Sequence, residues 1–202
     1  MELLLVMILN AVNCIEVVKK ANMTLGMISR LFEFKTRKGF LTLYNALVRP
    51  ILEYGVQFWS PHFKKDIEKL ERVQQRATKM IPALRNKPYE ERPKELNLYT
   101  LKQRRAQGDM IQVFRIVKGL DNMNPNKYFQ FDTTEATRNN GYKIRKRGVN
   151  SNEAKFFFFN RVVGLWNRLP SQVVAKESVD AFKKAMDVHF ASNPDIRFYV
   201  EN

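Results

Sequence analysis

The chain has 202 residues, 45% of them hydrophobic and 12% aromatic, which is enough to bury a core in one domain or two small ones. Its 35 Lys and Arg against 20 Asp and Glu leave a charge of +15, interleaved with apolar positions rather than gathered in a tail, so the favoured partners are polyanions: nucleic acid first, an anionic membrane second. The single cysteine, Cys14, excludes an internal disulfide and a cysteine-based zinc cluster and fits a reducing, intracellular setting, nucleus or cytoplasm; His62 and His189 are far apart and lack partners at ligand spacing, which argues against a metal site.

Residues 3–9 are apolar throughout, too short to span a bilayer and without the basic flank of a signal peptide, so they read as a short buried strand or the start of a helix. Ile15, Val18, Asn22, Leu25, Ile28 and Phe32 then step by threes and fours, predicting a first helix. Gly26 inside it either weakens the helix by about 1 kcal/mol relative to alanine or permits close packing. Residues 36–39 read as a basic turn. A second, central helix is expected over 40–58, with Leu43 or Tyr44, Leu47, Ile51, Tyr54 or Gly55, and Phe58 inward and a kink near Ala46 caused by Pro50.

The third predicted helix, residues 64–81, organises the rest. Ile67, Leu70, Val73, Gln74, Ala77, Met80 and Ile81 share one face. Lys65, Lys69, Arg72, Arg76 and Lys79 share the opposite face, within an arc of roughly 80° at 3.6 residues per turn. Glu68 and Glu71 flank that stripe without interrupting it. Like charges at helical spacing repel by a few tenths of a kcal/mol per pair. Such a stripe is either an anion-binding face or a merely solvated basic surface.

Pro82 stops this helix, and residues 82–97 read as a loop with at most a short helix near Tyr89. Thr100 with Gln103 forms a capping box for a fourth helix whose core side uses Leu101, Ile111, Phe114 and Val117 and whose stop is Gly119. Lys102, Arg104 and Arg105 crowd the first turns, the wrong end for cations beside the helix dipole, which hints at an external anion. Residues 120–152 lose the apolar period and read as a linker or long functional loop, with Arg145, Lys146 and Arg147 in a basic β-compatible string suited to phosphate contacts, a nuclear-localisation-like patch or a solvated hairpin. The run from Phe156 to Phe159 must be core or interface; a stacking platform for single-stranded bases is the other reading. Ser178 caps a last helix with Val179, Phe182, Met186 and Phe190 inward.

These patterns predict a mainly α fold: a helical bundle with a long basic loop or short β-hairpin near 125–150. The expected divisions are 1–14, 15–119, 120–152 and 153–202.

Four sets of residues carry a resemblance: 43–55 (LYNALVRPILEYG), 65–67 (KDI) with 70–81 (LERVQQRATKMI), 98–101 (LYTL) with Arg104, Arg105 and 108–111 (GDMI), and 158–170 (FFNRVVGLWNRLP). In order and spacing they resemble the region downstream of the polymerase palm in jockey-like non-LTR retrotransposon reverse transcriptases, over roughly residues 15–190. Pro93 departs from that pattern, the run 137–141 follows it loosely, and residues 1–12 fall outside it. The resemblance implies a thumb-like segment that grips RNA or DNA backbone, with no membrane and with the rest of a polyprotein as a further partner. The nucleic-acid-binding set it suggests is Lys65, Lys69, Arg72, Arg76, Lys79, Arg104, Arg105, Arg145, Lys146 and Arg147. The family's polymerase holds magnesium ions on paired aspartates, because two metals clamp the attacking and leaving oxygens. Of the seven aspartates here, no two are adjacent. The expectation is therefore a chain without catalytic residues or cofactor of its own, unable to polymerise alone. The alternative is a helical protein-packing module or a degenerate element remnant.

Overall fold

The computed structural model describes residues 2–31, 36–132, 141–149 and 151–193, with side chains from residue 14 onward except 152 and 153. The chain is mainly helical and divides into two compact units, residues 1–105 and 106–200. The division falls after Arg105, inside the fourth predicted helix, rather than at 119/120.

In the first unit, α1 (Glu2–Leu31) takes in residues 3–9, whose backbone is helical. Cys14, Ala21, Leu25 and Ile28 are buried, with Val18 packed against them, whereas Ile15 is 54% exposed. The inward stripe therefore starts one residue earlier than predicted, and Phe32 lies outside the described residues. Around Gly26 there is open space, so close packing does not account for that glycine.

The expected basic turn is instead the start of α2 (Arg37–Leu43), where the Thr36 side-chain oxygen accepts from Gly39 N–H at 3.2 Å. A π-helical turn (Tyr44–Val48) and α3 (Arg49–Glu53) continue it. Proline has no N–H to give and its ring crowds the carbonyl four residues back, here Ala46. The wider turn, closed by Arg49 N–H to the Tyr44 carbonyl, relieves that crowding where the kink was expected. Gly55, in the left-handed region at φ 62°, separates α3 from α4 (Val56–Trp59).

One consequence overturns the predicted inner face. Phe40, Tyr44, Val48, Leu52 and Val56 are buried, at every fourth position. A regular α-helix would let that spacing drift by about 40° per step, and a turn with more residues offsets the drift. Leu47, Tyr54 and Phe58, expected inside, are 43%, 84% and 81% exposed.

The basic helix is α5 (Lys64–Lys79), packed against α1 through Leu70, Val73 and Ala77. A 3-10 turn (Pro82–Leu84) follows, and then α6 (Glu91–Leu96), which admits Pro93 in its first turn. Asn97, at φ 53°, ends α6 with Leu98 N–H bonded to the Pro93 carbonyl at 2.8 Å and Asn97 N–H to the Lys94 carbonyl at 3.1 Å. The predicted capping box opens α7 (Leu101–Val117): Thr100 N–H donates to Gln103 Oε1 at 2.9 Å and Gln103 N–H to Thr100 Oγ1 at 3.2 Å. Gly119, at φ 66°, closes α7, with Leu120 N–H on the Arg115 carbonyl at 2.8 Å and its own N–H on Ile116 at 3.1 Å.

In the second unit, Met110, Val113, Phe114 and Ile116 of α7 pack with α10 (Phe158–Trp166), α11 (Ser171–Val174) and α12 (Val179–Ser192). Phe182, Met186 and Phe190 face inward as predicted, and the Ser178 hydroxyl caps α12 by accepting from Ala181 N–H at 3.2 Å.

The stretch after α7, expected as a linker or a long functional loop, carries specific contacts in its described residues. Asp121 accepts from Arg115 Nε at 2.8 Å and from Gln112 Nε2 at 2.8 Å, and the bond from Arg115 holds its carboxyl below the ordinary range. A short α8 (Pro125–Tyr128) leads to an antiparallel bridge between Phe131 and Ile144. Phe129 and Ile144 are each 2% exposed, and Asn167 brackets Ile144 by accepting from its N–H at 3.0 Å and donating to its carbonyl at 2.7 Å. Trp166 Nε1 donates to the Tyr142 carbonyl at 2.8 Å. These bonds are tertiary, so the apolar period of the segment gives no sign of them. The run 137–141 lies outside the described residues except for Gly141, as does the tail beyond Asn193.

Candidate nucleic-acid interface

On α5, Lys65, Arg72, Arg76 and Lys79 are exposed and Lys69 is half-buried, opposite the buried Leu70, Val73, Gln74 and Ala77. The amphipathic division read from the spacing is present, with two additions to the inner side, Asp66 and Thr78. Asp66 is explained by charge and position: it lies in the first turn, where a carboxylate suits the helix dipole, and it accepts from Lys69 Nζ at 2.9 Å. That hydrogen bond holds the Lys69 ammonium above its usual range. Lys69 therefore carries its own counter-ion. Arg72 faces Glu68 at 3.8 Å across an open surface, a pair too exposed to bind the guanidinium firmly. Arg76 donates to Asn22 Oδ1 of α1 at 2.8 Å, which leaves its charge uncompensated. Lys65 lies 5.6 Å from the centre of the Phe63 ring.

The cations at the start of α7 are placed otherwise. Arg104 makes a two-pronged bond to Glu53, from Nε at 2.8 Å and Nη2 at 2.9 Å. Arg105 is 3% exposed. Glu71 supplies an anion at the helix N-terminus, its Oε2 accepting from Leu101 N–H at 3.1 Å. The external anion suggested by the sequence is thus replaced by Glu53 and Glu71, and neither Arg104 nor Arg105 is presented for phosphate contact.

Glu71 also accepts from the Tyr89 hydroxyl, which begins a buried polar chain. Gln74 Nε2 donates to the Tyr89 oxygen at 3.1 Å and to the Tyr99 carbonyl at 3.0 Å, and its Oε1 accepts from the Tyr44 hydroxyl at 2.8 Å. Burial pushes both phenols well above their ordinary range. Arg92, 9% exposed, donates to the carbonyls of Lys87 at 2.8 Å and Gln75 at 3.0 Å. Sequence reasoning missed Arg92, which nothing local distinguishes from a surface arginine. Together these contacts hold the charged face of α5 on a fixed support. Beside it lies an open cleft of about 470 Å³ lined by Ile67, Glu68, Glu71, Arg72, Gln75, Tyr89, Thr100 and Lys102.

In the second unit, Arg145, Lys146 and Arg147 are exposed. Arg145 stands 4.0 Å from Asp132, and its N–H donates to the Gln130 carbonyl at 2.7 Å. A buried ion pair that was not foreseen joins Asp109, 0% exposed, to Arg161 through bonds of 2.9 and 3.0 Å. These residues belong to two of the sets that carry the resemblance.

The described aspartates are engaged by other side chains. Asp66 pairs with Lys69, Asp109 with Arg161, Asp121 with Arg115 and Asp180 with Lys183, while Asp187 accepts from Gln107. Among the described residues, no group of three or more His, Cys, Asp or Glu is placed to hold a metal ion, and no helix is long and apolar enough to cross a membrane. Asp195 lies outside the described residues.

Compared with known proteins, the chain matches no family model, no curated protein and no solved structure.

Proposed function

We propose that this chain grips nucleic-acid backbone, and that it corresponds to the post-palm region of a jockey-like non-LTR reverse transcriptase. One observation supports the grip: α5 turns Lys65, Arg72, Arg76 and Lys79 to solvent while burying its opposite face. Lys65, Arg72, Arg76 and Lys79 are its working members, with Lys69 partly neutralised by Asp66. Arg145, Lys146 and Arg147 form a second set in the other unit. Flexible cations along a helix neutralise phosphates without reading bases, so binding is steeply salt-dependent and nearly blind to sequence. RNA and DNA affinities at rising salt test this; a flat response, or no binding at low salt, removes it.

Polymerisation by the chain alone is not part of the proposal. Primer extension with magnesium on the purified protein checks that statement, and incorporation of nucleotides overturns it.

A second reading is favoured by a separate observation. Leu47, Tyr54 and Phe58 are exposed large apolar side chains of the first unit. Such a surface suits packing against the remainder of a polyprotein. Replacing Tyr54 and Phe58 with Ser would improve solubility and leave nucleic-acid affinity unchanged if that is their role.

A further inference from the structure

The phenylalanine run of the second unit is divided by the fold. Phe158 is 6% exposed and belongs to the core, whereas Phe157, in the break between α9 (Asn152–Phe156) and α10, is 48% exposed. Phe159 lies between them. Phe158 and Phe129 meet its ring edge-on, at 5.1 and 5.4 Å between centres, and anchor it to the core. Tyr128 stacks on it at 4.8 Å with planes 16° apart, and Phe157 leans on it at 5.9 Å. A rigid group of rings thus reaches the surface at Phe157, and only part of it is needed for packing.

Two lysines lie over rings in this part of the chain. Lys127 lies 5.9 Å from the Tyr128 ring centre, and Lys155 lies 5.6 Å from that of Phe156. The basic segment around Arg145 is backbone-bonded to the residues that follow Phe129. Gln130, the residue after Phe129, pairs with Arg145, and Asp132 N–H donates to the Lys143 carbonyl at 2.9 Å. A half-exposed aromatic held on fixed rings and a basic segment tied down by backbone bonds are the two components that single-stranded nucleic acid requires. The rings take the faces of unpaired bases, and the cations take the phosphates. A duplex offers no free base face in mid-strand, so it has nothing to give Phe157.

We propose that the second unit binds single-stranded RNA or DNA, with a base stacked on Phe157 and phosphates on Arg145, Lys146 and Arg147. This goes beyond the backbone grip of α5 and does not depend on it.

The test uses the full chain and labelled strands of about twelve nucleotides, within the usual span of single-strand sites. The ligands are oligo-dT, oligo-U, an abasic strand of equal charge and a duplex of the same length. Phe157→Ala should weaken oligo-dT or oligo-U binding roughly 5- to 150-fold, the worth of one stacked base, and leave abasic and duplex binding unchanged. The dT and U arms identify which nucleic acid is preferred. Should Phe157→Ala disturb folding, Phe157→Trp decides: its indole emission must be quenched by oligo-dT or oligo-U and not by the abasic strand. The proposal is overturned if the unaltered chain holds the abasic strand as tightly as the others, or if a folded Phe157→Ala chain keeps full single-strand affinity, as it would if Phe157 served a protein partner. Duplex binding reports on the backbone grip and the base-dependent difference on Phe157, so either reading can fail alone.

Discussion

Replacing Arg72 and Arg76 by Ala tests whether the α5 stripe meets phosphates. Both side chains are exposed, so the fold tolerates their loss. Of the five stripe cations, Lys69 is offset by Asp66 at 2.9 Å, which leaves four to displace counter-ions. At a slope of about −0.9 per phosphate neutralised on duplex DNA, four contribute about −3.6 to the slope of log affinity against log salt. Between roughly 50 and 200 mM salt that contribution weakens binding about 150-fold. Removing two cations cuts it to about −1.8, or roughly 12-fold over the same range. The measurement is fluorescence anisotropy of a labelled duplex across a salt series. Arg104→Ala is the control: its guanidinium is committed to Glu53, so it should lower stability and leave the slope alone. The reasoning is refuted if the double variant keeps the parent slope, or if Arg104→Ala lowers the slope as much.

Three further outcomes are expected. Arg161→Met takes the guanidinium from Asp109, which is 0% exposed, and should cost about 3–5 kcal/mol, most of it recovered when Asp109→Leu is added; urea unfolding followed by Trp166 emission in a Trp59→Phe background reads the second unit, and a loss under about 1 kcal/mol would count against a buried charge pair. Gly26→Ala and Gly164→Ala lie within helices, with nothing close to the added Cβ, so each should raise stability by about 0.5–1 kcal/mol, visible as a melting shift of a few degrees; a lower melting temperature would reveal a packing role for the glycine. Burial, with the Asp66 charge second, pushes the Cys14 thiol up to about 11 from an ordinary 9.0. The folded state thus holds this proton more tightly than the unfolded state, so the contribution is complete below pH 9 and is lost as pH rises toward 11. Tyr44 and Tyr89, raised in the same sense, extend the loss further into alkali. Melting temperature against pH checks this, and Cys14→Ala should flatten the first part of the decline.

Local chemistry was sufficient wherever a feature depended on neighbours in sequence. The Thr100–Gln103 box, the Gly119 stop, the Ser178 cap and the two faces of α5 were all legible, because caps and helical faces are decided within one or two turns. Tertiary structure decided the rest. Pro50 widened a turn and rotated the following face, so Leu47, Tyr54 and Phe58 exchanged places with Val48, Leu52 and Val56. The roles of Arg104 and Arg161 depended on Glu53 and Asp109, each about fifty residues away in the chain, and no local pattern announces a partner at that distance. The stretch after α7 looked like a linker because its order comes from Trp166 and Asn167 rather than from its own periodicity. Sequence determined which faces were apolar and which charged; the packing of distant segments determined which charges remained available to a partner.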